Sequence, residues 1–212
     1  TPREVTAVQE HTRAQFYFGM YESTRHFFSD DPPFVVATAP GFRVSAYRNQ
    51  VWGDVLIAVA NLGQSDGTTS LHFPHPELLG FDTSGTCWLV HADTREARAL
   101  SVEELVSGHQ QVAVNAMQCR LLVVRGSAAV PCHVFGGKRI CESWDAARGT
   151  LAMELDGPPG LEETVLIGTA GRLVKRAEVA GMEVAVQDGS QDTLVRVPVQ
   201  FGESPVRVEL AL

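Results

Sequence analysis

The sequence predicts a mainly β protein: an N-terminal amphipathic helix followed by two antiparallel β-sandwiches in tandem. Three observations carry that expectation. Apolar residues recur at near-helical spacing only ahead of Pro32-Pro33, and beyond them the period switches to two. Turn residues then return about every 8–12 positions as far as the C-terminus. Helical segments between the strands are missing, which argues against a parallel α/β sheet, and no repeat of fixed period is present.

The helix reads from a capping box, with Thr1 as N-cap, Pro2 at the first helical position and Glu4 three residues after the cap. Val5, Val8, Phe16, Met20 and Phe27 continue an apolar face that ends before Ser29-Asp30-Asp31-Pro32-Pro33, so 1–33 forms the helix and its Pro-rich exit. Short strands follow at 34–38, 42–48, 55–61, 68–73, 86–91, 110–115 and 120–125. Between them, Leu100–Leu105 with Gly108 makes a short element closed by glycine. The small-residue run Gly126-Ser127-Ala128-Ala129 places a boundary that gives a first sandwich over 34–126 and a smaller one over 127–212. Strands of the second are expected at 132–135, 138–144, 150–155, 164–168, 172–179, 183–187, 193–198 and 206–210.

Composition limits the function. With 44% hydrophobic and 20% charged residues in a chain of 212, a real core can form. Seventeen basic against 25 acidic side chains leave a net charge of −8, which argues against nucleic acid and against an anionic membrane surface as partners. No stretch nears the roughly 20 apolar residues of a membrane span, and no signal peptide opens the chain. The chain starts at Thr1 rather than Met, beside a capped helix with an aromatic face. That combination leads us to expect a larger parent.

No catalytic residues, metal ligands or cofactor motifs are legible. Asp30-Asp31 reads as a solvated helix exit, His72 and His75 as loop histidines, and 188–192 as a hairpin turn rather than a calcium loop. Trp52, in a predicted turn with Asn49, Gln50 and Asp54, is the candidate carbohydrate contact, because a flat ring can cover the apolar face of a sugar. Phe16, Met20, Tyr21 and Phe27 are candidate interface residues, too apolar to be left bare. If Gly136-Gly137 is a two-residue hairpin turn, Cys132 and Cys141 stand opposite one another and can form a cross-strand disulfide. A secreted or periplasmic location would follow from that bond; two reduced thiols are the alternative. Trp88 and Trp144 read as core, and Cys87 and Cys119 as buried small hydrophobes.

The order of elements resembles the C-terminal region of multidomain glycoside hydrolases. The likeness is carried by Tyr47-Arg48, by Val55–Asn61, by Trp88-Leu89-Val90-His91-Ala92-Asp93-Thr94, and by Leu105 and Gly108 with Val112–Val114 and Cys119–Val124. In such enzymes the last helix of a (β/α)8 barrel leads into antiparallel sandwiches. The resemblance implies a non-catalytic accessory module whose partner is a catalytic domain and whose loops contact carbohydrate. A stand-alone interaction or oligomerisation module using the aromatic helix face is the alternative expectation.

Overall fold

The computed structural model describes residues 2–20, 24–27, 34–80, 82, 84–108, 110–188 and 193–212, with the backbone alone at 2–7, 27 and 188. It is mainly β, with an N-terminal helix and several antiparallel sheets. The chain folds as two compact units, Thr1–Ser127 and Ala128–Leu212.

The first unit contains α1 (Pro2–Phe18), β1 (Thr24–Phe27), β2 (Val36–Ala37), β3 (Phe42–Asn49), β4 (Val55–Asn61), β5 (Gly67–His72), β6 (Thr86–His91), β7 (Glu96–Ser101), α2 (Val102–Val106), β8 (Gln110–Val114) and β9 (Cys119–Gly126). A six-stranded sheet in the order β1-β3-β4-β9-β6-β7 faces a three-stranded sheet in the order β2-β5-β8. Their shared core comes from alternate residues: Val44, Ile57, Val59, Leu89, Leu122 and Val124 from the larger sheet meet Leu71, Val112 and Val114 from the smaller. Asn61, buried at the end of β4, ties the two sheets through an amide that donates to Val114 O at 3.0 Å and Ser65 O at 2.9 Å.

The central strands of the large sheet are buried on both faces. Leu56 on β4, Leu121 and Val123 on β9, and Trp88 and Val90 on β6 point away from the shared core, yet each is at most 3% exposed. Helix α1 lies against β9 and turns Ala14, Tyr17 and Phe18 inward, all buried. None of its described side chains enters the core between the sheets, so it covers this second face. Glu10 pairs with Arg95 in the β6–β7 turn at 3.7 Å.

The helix is shorter than the apolar spacing suggests. It ends at Phe18 because Gly19 adopts a left-handed φ of 71°. The Gly19 amide then bonds Phe16 O at 2.9 Å and the Met20 amide bonds Gln15 O at 3.0 Å, the paired bonds that terminate a helix on glycine. Phe27 therefore belongs to a strand rather than to the helix: β1 pairs with β3, with Phe27 opposite Ala46. The Thr1 cap, Tyr21 and Asp30-Asp31 lie outside the described residues.

The second unit contains β10 (Cys132–Phe135), β11 (Lys138–Asp145), β12 (Thr150–Asp156), β13 (Glu162–Gly168), β14 (Arg176–Val179), β15 (Met182–Glu183), β16 (Gln187–Asp188), β17 (Leu194–Gln200) and β18 (Val206–Ala211). A four-stranded sheet, β10-β13-β17-β16, faces a five-stranded one, β11-β12-β18-β14-β15. Val165, Ile167, Val195 and Val197 from the first interleave with Leu151, Met153, Leu155, Val208 and Leu210 from the second.

Gly136-Gly137 does not make a hairpin. Both glycines are left-handed, at φ 91° and 82°, as a tight hairpin would need. Here they turn the chain from one sheet to the other, so β10 pairs with β13 and β11 with β12. The Cys132–Cys141 pairing is corrected accordingly: Cys132 lies opposite Gly168, Cys141 opposite Glu154, and no disulfide joins any two of the four cysteines. Side chains hold the corner. Glu142 accepts from the His133 amide at 3.0 Å and from Arg139 at 2.8 Å, while the His133 ring bonds Gly136 O at 2.9 Å.

A Cβ on Gly136 would sit 2.7 Å from Thr164 O, a backbone atom that cannot move aside. Gly136→Ala is expected to lower the unfolding free energy by about 2 kcal/mol or more in urea titration. Gly160, with φ 79° and nothing within 4 Å of such a Cβ, provides the comparison. There the Ala variant is expected to lose only the left-handed penalty of about 1–2 kcal/mol.

Candidate functional site

The sequence places its candidate sugar contact at the β3–β4 turn, and the structure divides those four residues into two classes. Asn49 and Asp54 are each 4% exposed. Gln50 is exposed and Trp52 half-buried, beside Val51 at 66% exposed.

Asn49 organises the turn from beneath. Its backbone accepts from Gly53 N–H and donates to Asp54 O, both at 2.9 Å. Its side-chain oxygen accepts the amides of Val51 at 2.9 Å and Trp52 at 3.1 Å. The remaining polar group, Nδ2, donates to Phe18 O at 2.9 Å, a carbonyl that the end of α1 leaves unpaired within the helix. One buried amide thus fixes a turn on the sheet and the end of the helix together.

Asp54 lies one residue before β4 and opposite Arg125 on β9. The two pair at 2.8 Å, with side chains 6% and 7% exposed. Arg125 is also opposite Trp88 on β6, and Trp88 is fully buried. Its indole N–H has no hydrogen-bond partner among the described residues. Desolvation makes an ion pair this deeply buried costly to form, but separating the partners costs more, since neither charge can recover its water without unfolding. Asn49 and Asp54 therefore serve the architecture, and what the turn offers outward is Gln50, Val51 and Trp52.

Of the interface candidates, Phe16 and Met20 are half-buried. Phe16 makes an edge-on contact with Tyr17 at 6.1 Å between ring centres. The outward side of α1 also carries Val8, 65% exposed, and the exposed Thr12, about two turns and one turn before Phe16 respectively.

Sequence reasoning missed two stacked arrangements. His26 and Tyr47, cross-strand partners in β1 and β3, lie parallel at 4.2 Å and 4°. Burial lowers the His26 pKa and raises that of Tyr47. In the second unit, Arg172 sits 5.1 Å above the Trp144 ring, so this tryptophan is half-buried under a cation instead of lying wholly in the core. The apolar spacing that continues a helix through His26, and the strand-like residues around Arg172, conceal both.

Among the described residues, no group of three His, Cys, Asp or Glu side chains is placed to hold a metal ion. His72 ends β5, and His75 bonds Glu77 at 3.1 Å at the start of a short 3-10 helix, Pro76–Leu79. Residues 189–192 of the candidate calcium loop lie outside the described residues. No described helix is long and apolar enough to cross a membrane. The second unit also has a groove of about 460 Å³, floored by Val179, Val184 and Val199 and bordered by Glu163 and Met182.

No family model matches the sequence, and no curated protein matches it. Among solved structures, a proposed alpha-N-acetylgalactosaminidase from Bacillus halodurans is similar at 17% identity and a TM-score of 0.33, over 44% of this chain and 19% of that one. Two structures of BuGH86, a point variant and the wild type, each in complex with neoagarooctaose, are similar at 12% identity and TM-scores of 0.28 and 0.27. Both alignments cover 82% of this chain and 31% of the other. These neighbours are glycoside hydrolases or proposed ones, and the chain spans less than a third of their length.

Removing the Asp54 carboxylate would leave Arg125 charged in the interior. Asp54→Ala is expected to cost about 3–5 kcal/mol in chemical denaturation. Asn49→Ala is expected to cost about 1–3 kcal/mol and to release the Val51 and Trp52 amides to hydrogen exchange. The thiols give a second test. Burial pushes the Cys87 pKa up to about 12 and raises that of Cys119, whereas Cys141 is exposed. At pH 8 the native protein should therefore show fast Ellman's reaction at Cys141, with Cys87 reacting only after unfolding.

Proposed function

We propose that the chain is a non-catalytic accessory module, a helix with two β-sandwiches that supports the catalytic domain of a glycoside hydrolase. One observation carries this reading. Among the described residues the buried carboxylates are Asp54 and Glu163, and they belong to different units. Glycoside hydrolysis needs two carboxyl groups facing one another across a single cleft, about 5–10 Å apart. Here Asp54 is committed to Arg125 at 2.8 Å, and Glu163 accepts the Thr164 amide at 2.8 Å. The buried polar groups of the first unit are engaged within the fold, Asn49 on the end of α1, Asp54 on Arg125 and Asn61 between the two sheets. That arrangement suits a part whose work is mechanical.

The outward side of α1, with Val8 and Phe16, and Met20 just past its end would meet the catalytic domain. The turn bearing Gln50 and Trp52 would be the loop that touches sugar. The same helix side also suits a second copy of the chain, and that reading predicts a concentration-dependent dimer lost in Val8→Asp.

Two measurements test the proposal. Incubated alone with a panel of aryl glycosides, the chain should release no nitrophenolate above buffer. Turnover that scales with protein and disappears in Glu163→Gln or Asp54→Asn would overturn the non-catalytic reading. In the gene, the codons before Thr1 should encode alternating strands and helices carrying acidic residues; an in-frame stop there would overturn the supporting role.

A further inference from the structure

The two sandwiches present outward sheet faces of opposite character. On the five-stranded sheet, Arg176, Glu178, Glu183, Arg207 and Glu209 share the solvent side, linked by ion pairs of 2.9–3.1 Å. Charges at nearly every outward position are the ordinary dress of a solvated sheet. The three-stranded sheet of the first unit carries none. Leu71, Val112 and Val114 point into its core, so Thr38 beside β2, Thr68, Ser70 and His72 on β5, and Gln111 and Ala113 on β8 point out. All are exposed except Ser70, which is half-buried. Lys, Arg, Asp and Glu are absent from these positions, in a chain where one residue in five is charged.

The groups are also ordered. Ser70 stands opposite Gln111, Thr68 opposite Ala113, and His72 opposite Val36. The strands repeat them about 4.8 Å apart sideways and about 6.8 Å apart lengthwise. Thr38 Oγ1 accepts the Ser70 amide at 3.3 Å, which leaves its hydroxyl proton to give. Hydroxyl, amide and imidazole groups each donate and accept. Asp66, at one end, turns its carboxylate to the Ala116 amide at 2.8 Å.

We propose that this face docks a neutral glycan chain, an extended polyhydroxylic polymer without carboxylate or sulfate groups. A polyanion would need cations on the face. A protein partner would need aromatic, Met or Arg anchors, and the face has none. A glycan matches what is there, because each sugar hydroxyl both donates and accepts, while Ala113 and the half-buried Val36 leave room for ring C–H groups. The face is separate from the Trp52 turn, and its use does not depend on the supporting role proposed above.

Affinity electrophoresis tests it, with the whole chain run in native gels containing agarose, galactomannan or mixed-linkage β-glucan, and in gels containing alginate. Retardation is expected in at least one neutral gel and not in alginate. Thr68→Glu/Ser70→Glu should weaken it at least about ten-fold in apparent affinity, whereas Leu173→Ala, at a position 86% exposed in the second unit, should leave it unchanged. Should the double variant melt early, the exposed Gln111→Glu substitution takes its place. Absence of retardation in every neutral gel, retardation that survives the glutamates, or retardation only in alginate would overturn the proposal. So would a concentration-dependent dimer abolished by Ser70→Glu, which would assign the face to a second copy of the chain.

Discussion

The first unit depends on the ion pair between Arg125 and Asp54. Both charges are buried, so the outer face of the six-stranded sheet cannot open without stranding them. Asn49, one turn away, extends the same constraint to α1 by holding Phe18 O while it binds the Val51 and Trp52 amides. Attraction alone would make such polar groups a poor source of stability. Their value lies in geometry, because only one placement of helix, turn and strands satisfies all of them.

This explains how the fold class could be legible while the candidate site was not. Period-two alternation reports which face of a strand is buried, and at Val55–Asn61 and Thr86–His91 the expected and observed bounds coincide. Strand β7, Glu96–Ser101, was missed because only Ala97 and Leu100 are buried, three apart, as on a helix. In β1, four residues follow a glycine-terminated helix closely enough for Phe27 to prolong its apolar spacing. At the β3–β4 turn, polar residue types beside a tryptophan suggest a binding loop. Whether Asn49 and Asp54 face solvent or the interior depends on Phe18 and Arg125, 31 and 71 positions away, and local pattern carries no such information.

The glycine pair of the second unit teaches the same lesson in reverse. Two left-handed residues in succession are what a tight hairpin requires, and Gly136 and Gly137 do adopt that conformation. The local inference about the backbone was sound. The pairing failed because Glu142 takes the His133 amide, a group that a hairpin would have given to β11. Local chemistry fixes the turn; the competition for backbone donors decides which strands it joins.

The anchoring of α1 bears on how such a module could be moved between proteins. Cut in the Pro-rich stretch after residue 27, the sandwich would lose the cover over Leu121, Val123 and Trp88 and leave Asn49 without the Phe18 carbonyl. An intact transferable cassette must therefore carry the helix with it. In recombination, natural or engineered, the seam belongs ahead of α1 rather than at the prolines, where the change of composition would invite a designer to place it.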